Sequence, residues 1–304
     1  MRGCSNVSPS GKAGFSIYFG GGLGLREFAI LKVFNNNAVL AWDSIRMEEA
    51  VLVGKGLGFN AKPQDIITGD RAEKIFYFVD KDKINQLNHF DKDVVGITVE
   101  IISMVSKMLD EPLNEHIHIA LADHIGYTLE RLKLGLEITN PFIEEIKALY
   151  PKEYDLACRA AKMIEEKFEI GIPDGEKGFI AMHIHSARVN REISKTVKNT
   201  SMINKMIEII EKELQIKLDR NNINFARLII HLRFTLDRIN NGTSIKNPLI
   251  DRIEQEFASS YKISQKIGEY IYERTGKAPS RDEMGYLALH IQRIKESLTE
   301  CNMQ

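Results

Sequence analysis

The sequence predicts a multidomain chain, a small antiparallel all-β module followed by two homologous all-α helical bundles. Three observations carry this. First, the chain contains a long internal repeat. LADHIGYTLERLKLGLEITNP (121–141) lies over LIIHLRFTLDRINNGTSIKNP (228–248), and at the same offset of 107 residues GEKGFIAMHI (175–184) lies over DEMGYLALHI (282–291). Of the 67 positions from 124 to 190, 18 are identical to their partners. That period is too long for a solenoid unit and fits two domains in tandem. Second, residues 27–80 hold short, β-branched apolar runs broken by Asn and Gly clusters, which read as strands and turns. Third, from about residue 84 apolar residues recur at three and four, the helical period.

Taken in order, residues 1–26 are rich in Gly and Ser and are expected to be a disordered extension. Residues 27–84 form the β module, with strands at AILKVF (29–34), AVLAWD (38–43), EAVLVG (49–54) and KIFYFVD (74–80). Asn35, Asn36 and Asn37 make the first hairpin connection, since Asn tolerates positive φ. About 55 residues is a small core, so the module is expected to pair with another copy of itself. The first bundle spans 90–195 and the second 196–304, with EISKTVKNT (192–200) as a polar join. Asp174, and Ser280 or Asp282, are the expected caps of the last helix in each bundle.

The net charge of −1 gives no bulk attraction to nucleic acid or anionic membrane. Three scattered cysteines, Cys4, Cys158 and Cys301, fit a reducing compartment. No apolar run reaches the roughly 18 residues of a spanning helix. Four of the eight histidines form repeat-matched pairs, His124 with His231 and His183 with His290. An imidazole kept twice in each copy is either a satisfied core group or one used for chemistry. His116/His118 and His183/His185 have HxH spacing, but positions i and i+2 of a helix do not share a face. The second copy places Ile223, Phe225 and Gln292 at the positions of His116, His118 and His185. No metal site is therefore expected. GKGLGF (54–59) lacks the phosphate-loop pattern. Beside an Asn-rich loop, it could instead present amides and the Phe59 ring to unpaired RNA bases. Charge does not favour this, because residues 27–62 balance Lys32, Arg46, Lys55 and Lys62 against Glu27, Asp43, Glu48 and Glu49.

KVFNNNAVLA, LVGKGLGF, NEHIHIALADHI, GFIAMHIHSA and YLALHIQR, in this order over about residues 28–298, resemble the BglG/SacY transcription antiterminators, most closely those of glucose type. The resemblance implies a co-antiterminator RNA-binding domain and two phosphotransferase-system regulation domains. It implies a cytoplasmic homodimer, without cofactor or catalysis, that binds a ribonucleic antiterminator hairpin in nascent mRNA ahead of sugar-transport genes. The implied RNA contacts are Lys32, Asn35, Asn36, Asn37, Gly54, Lys55, Gly56 and Phe59. Lysine at 55, where family members often have arginine, keeps the charge but loses the planar fork. The implied phosphorylation sites are His124, His183, His231 and His290, with the glucose-type sugar permease and the phosphocarrier HPr as donors. The alternative reading is a DNA-binding activator with the same regulation domains, which would need a helix-turn-helix before residue 90.

Overall fold

The computed structural model describes residues 17–19, 26–78, 81–220 and 222–301. Its N-terminal part is a sheet of β1 (Ile17–Phe19), β2 (Glu27–Val33), β3 (Ala38–Asp43), β4 (Glu48–Val53), β5 (Ile66–Thr68) and β6 (Lys74–Tyr77), in the order β1-β6-β4-β3-β2-β5. Every pairing is antiparallel. Phe28, Ile30, Val39, Ala41, Leu52, Leu57 and Ile75 form one core on one face. Complete burial of a phenylalanine such as Phe28 is worth about 2–3 kcal/mol. The central strands are covered on both sides: Leu40, Val51 and Phe76 are buried as well. Helix α2 (Lys92–Leu109) packs on β3 and β4, and His118 of α3 (His116–Lys133) meets Phe76 and Phe78 edge-on, with ring centroids 5.0 and 4.9 Å away. This helical cover supplies burial that a sheet so small lacks alone.

At the end of β3, Asp43 is fully buried. Burial alone would raise its pKa, but the Tyr77 hydroxyl, the Arg46 and Ile45 amides and the Arg26 guanidinium all donate to it and hold it below the usual carboxylate value. A carboxylate with that many donors is stable as the anion.

Several expectations need correction. Residues 17–19 pair with β6, so three residues of the expected extension form an edge strand; the rest of the extension lies outside the described residues, apart from Arg26. Ile-Tyr-Phe is a strongly β-prone triplet hidden among glycines. The hairpin asparagines do not use positive φ; Met47, Asn60 and Gln64 do. The loop instead closes by an Asx turn, the Asn37 amide donating to Asn35 Oδ1 at 2.8 Å. The polar join is helical, being the start of α7 (Ile193–Leu214). Its Thr196 and Thr200 are buried: Ser186 Oγ donates to Thr196 Oγ1 at 2.7 Å, and Thr200 Oγ1 to the Thr196 carbonyl at 3.0 Å. Polar residues with internal partners read as a loop in sequence alone. Asp174 lies inside its helix and pairs with Lys177, whereas Ser280 does act as a cap, accepting from the Glu283 amide at 3.2 Å.

The remaining helices are α1 (Lys81–Leu87), α4 (Ile143–Leu149), α5 (Pro151–Phe168), α6 (Asp174–Arg188), α8 (Ile223–Asn241), α9 (Ile250–Glu256), α10 (Ala258–Thr275) and α11 (Arg281–Cys301). The chain divides into two compact units, Met1–Glu137 with Ala160–Ile172 and Ala187–Asn190, and Ile138–Arg159 with Pro173–Ser186 and Arg191–Gln304. The units cross the repeat boundary. In the second, α4 of the first copy packs on α7 and α8 of the second. Arg233 donates to the Leu149 carbonyl at 3.1 Å, and Arg220 lies 2.9 Å from Glu211 and 3.7 Å from Glu145.

Several repeat-matched residues have structural reasons. Gly135 and Gly242 have φ of +70° and +67° at helix C-termini, where a Cβ is disfavoured. Asn140 and Asn247 are buried, and their side-chain oxygens accept from the Phe142 and Leu249 amides at 3.0 and 3.1 Å, opening α4 and α9. Gly178 and Gly285 let α6 and α11 close on those asparagines; an added Cβ would stand 2.8 and 2.9 Å from their amide nitrogens.

Two outcomes follow from these contacts. Gly242→Ala is expected to cost about 1 kcal/mol, read as a lower urea midpoint at unchanged slope. His118 is wholly buried, and that burial pushes its imidazole from 6.5 down to about 4. The unfolded chain therefore takes up this proton first. The contribution is complete above pH 6.5 and is lost as pH falls toward 4, by up to about 3 kcal/mol. Urea midpoints across that window should show a flatter slope in His118→Phe; an unchanged slope would refute the assignment.

Candidate functional site

The loop joining β2 to β3 and the turn after β4 are neighbours because β3 lies between the two strands, with Ala38 opposite Val53. They are stitched together. The Gly54 amide donates to the Asn37 carbonyl, Gly58 to the Asn36 carbonyl and Gly56 to Asn37 Oδ1, all at 2.9 Å. A Cβ on Gly58 would lie 2.1 Å from the Asn35 carbonyl oxygen, and one on Gly54 would lie 2.5 Å from that of Arg71. Gly56 has a φ of +69°. The glycines thus serve close backbone approach. The result gathers Asn35, Asn36, Asn37, Gly54, Lys55, Gly56 and Phe59 at one end of the sheet, with Lys32 on the adjoining strand. Asn36 and Lys55 are exposed, and Phe59 keeps 64 % of its surface open. An exposed ring beside amides and a cation has the chemistry for stacking on unpaired bases and bonding their edges.

Helix α2 reaches this patch. Both oxygens of Glu100 accept from it, Oε1 from Asn35 Nδ2 at 2.6 Å and Oε2 from Asn37 Nδ2 at 2.9 Å. Lys32 Nζ donates to Asn88 Oδ1 at 3.1 Å. A cleft of about 360 Å³ opens alongside, lined by Asn37, Gly54, Lys55, Glu100 and Lys107 among others. Sequence reasoning missed Glu100 and Asn88. A signal existed for Glu100: it is the lone charge in the apolar run VVGITVEIISMVS (94–106).

Of the matched histidines, His231 on α8 and His290 on α11 come together, with ring centroids 4.6 Å apart. Burial, then His290 and Arg238, push His231 from 6.5 down to about 3. Burial, Arg293 and Arg227 lower His290 as well. Both are therefore neutral at neutral pH, and a neutral imidazole has the lone pair that a phosphoryl acceptor needs. Arg238 is held by Glu283, its Nη2 donating to Oε2 at 2.7 Å, while Thr235 donates to the same carboxylate at 3.0 Å. His124 is half-buried on α3 in the first compact unit, and His183 is half-buried on α6 in the second.

The HxH neighbours serve packing and local bonds. His116 is exposed and His118 is buried against the sheet. His185 Nδ1 lies 2.9 Å from Glu153 Oε1, and its ring stacks on Tyr150 at 4.0 Å. At the matched positions of the second copy, Ser260 donates to Gln292 at 2.8 Å. Among the described residues, no group of three or more His, Cys, Asp or Glu side chains is placed to hold a metal ion, and no helix is long and apolar enough to cross a membrane. Residues 26–78 contain strands, turns and one 3-10 turn, and among the described residues before 90 the one α-helix is the short α1. The helix-turn-helix required by the DNA-binding alternative is not among the described residues there.

A family model described as the CAT RNA binding domain matches residues 28–85, and one described as the PRD domain matches residues 99–187 and 204–294. The PtsGHI operon antiterminator of Bacillus subtilis (strain 168) is 36% identical over 279 residues, covering 90% of this chain and 99% of that protein. The transcription antiterminator LicT of the same organism is 30% identical over 272 residues, covering 87% and 98%. Among solved structures, the crystal structure of GlcT CAT-PRDI is 40% identical, covers 53% of this chain and 98% of that one, and has a TM-score of 0.46. Domain matches in this order, and relatives aligned along nearly their whole length, mean that the chain belongs to the BglG/SacY family of transcription antiterminators.

Proposed function

We propose that the sheet end formed by Lys32, Asn35, Asn36, Asn37, Gly54, Lys55, Gly56 and Phe59 binds an antiterminator hairpin in nascent mRNA. Binding there keeps an overlapping terminator from forming, so transcription continues into sugar-transport genes, of glucose type by the resemblance. The observation that carries this reading is the stitched pair of loops, which presents amides, a lysine and an exposed aromatic ring on one edge. Amides and rings recognise unpaired bases, while a near-neutral charge leaves little non-specific attraction.

The helical copies act as the sensor. His124, His183, His231 and His290 accept phosphoryl groups from the glucose-type permease or from HPr. Each phosphoryl group brings roughly two negative charges, by analogy with other phosphorylated side chains. On His231 or His290 that charge would face Arg227, Arg238 and Arg293, the cations whose fields reach those rings. Such a group would compete with Glu283 for Arg238. The protein works as a cytoplasmic homodimer, and it catalyses nothing itself: its histidines receive phosphate, and its RNA face only binds.

Titrating the full chain into an antiterminator-type RNA hairpin, a scrambled hairpin and duplex DNA tests the RNA reading. Selective binding to the hairpin is expected. Phe59→Ala or Asn36→Ala should weaken it by about tenfold or more, the scale of one lost stacking or edge contact. Equal binding to the scrambled hairpin, or preference for the duplex, would overturn it.

A further inference from the structure

Two of the residues assigned to RNA are already occupied. One carboxylate, Glu100, takes a side-chain N–H from Asn35 with one oxygen and from Asn37 with the other, at 2.6 and 2.9 Å. The amide oxygens are engaged too, Asn35 Oδ1 by the Asn37 backbone amide at 2.8 Å and Asn37 Oδ1 by the Gly56 amide at 2.9 Å. The contact is built in on the helix side as well. Gly96, one turn before Glu100, brings the α2 backbone so close to Asn35 that a Cβ there would lie 2.3 Å from Nδ2 and 2.6 Å from Cγ. Of the twenty side chains, only glycine permits this seating.

We propose that Glu100 is an intramolecular competitor for RNA: α2 closes the reading edge by occupying the Asn35 and Asn37 amides, and hairpin binding requires its release. The proposal rests on the RNA-binding reading of those asparagines. A carboxylate suits the role because it offers two adjacent acceptors, as a base edge or a phosphate does, and its charge strengthens both bonds. In place, it also sets a negative charge where RNA phosphates must approach. Release of the Glu100 side chain itself need not open a packed core, because it is only half-buried and borders the open cleft. Occupancy is reciprocal: whatever moves α2 changes RNA affinity, and RNA favours the moved helix equally. Helix α3, which carries His124, packs on α2, with Gly126 beside Val94. A charge placed on α3 therefore has a short mechanical route to the clamp.

The test measures hairpin affinity for the full chain and its Glu100→Gln variant, each with and without Asn35→Ala. Glutamine keeps the shape but turns one acceptor into a donor that faces donors. The expected result is hairpin binding on the order of tenfold tighter in Glu100→Gln, lost in both backgrounds with Asn35→Ala. Gly96→Ala, which pushes α2 off Asn35 without changing charge, should also tighten binding. Glu73→Gln, which removes an acid from the same cleft without touching the asparagines, should leave affinity unchanged. Without RNA, the side-chain amide NMR signals of Asn35 and Asn37 should move in Glu100→Gln; this also reports on the clamp if Gly96→Ala fails to fold. Equal affinity of the parent and Glu100→Gln, with Phe59→Ala still weakening binding, would overturn the clamp and leave the RNA reading intact. Equal gains from Glu73→Gln and Glu100→Gln would assign the effect to charge alone and likewise overturn the clamp. Absence of hairpin binding in every variant, or indifference to Asn35→Ala, would overturn the RNA reading and the clamp together.

Discussion

A side-chain amide has two N–H groups and one oxygen, and that small capacity governs the end of the sheet. Asn37 uses its oxygen to fix the Gly56 amide and so holds the glycine turn against its own loop. Asn35 uses its oxygen to set the Asx turn that shapes the hairpin. What remains for any other molecule is the N–H side of each, and Glu100 takes one N–H from each. The same two residues thus shape the loop and supply its recognition groups. Their substitution perturbs fold and binding at once, whereas the exposed Asn36 and Phe59 separate the two.

The sequence made the larger plan readable and hid the contacts between its parts. The repeat predicted two helical copies because their matched residues answer local demands: a left-handed turn at Gly135 and Gly242, and a buried cap at Asn140 and Asn247. Such demands leave a trace at fixed spacing. The Asn-rich hairpin and the glycine turn were also visible, because strands end where turn residues cluster. Other features depend on partners far away in the chain. Glu100 stands out in sequence only as the lone charge of an apolar run, and its role emerges once α2 is set against the loop 63 and 65 residues earlier. Thr196 and Thr200 looked like linker residues because their hydroxyl partners are a neighbouring side chain and a helical carbonyl. Ile17–Phe19 was masked by glycine-rich surroundings, and its place is set by the free edge of β6.

Identity between the copies does not by itself mark chemistry. Glycines, asparagines and the Thr–Arg–Glu set of the second copy are matched because they hold helices together. The histidines differ. His231 and His290 lie ring to ring, both held neutral by burial and nearby guanidinium groups.

The pair Glu153–His185 and its counterpart Ser260–Gln292 bear on how the duplicated halves drifted apart. Each couple is self-sufficient, but mixed couples are not equivalent. Glutamate facing glutamine retains a charge with a weaker partner, and serine facing histidine leaves the imidazole without its carboxylate. Divergence after duplication therefore had to carry both positions across together, or pass through a less favourable intermediate. A chimera that exchanges α6 for α11 alone would recreate that intermediate. The interchangeable unit of this chain is the helix together with the residue it faces.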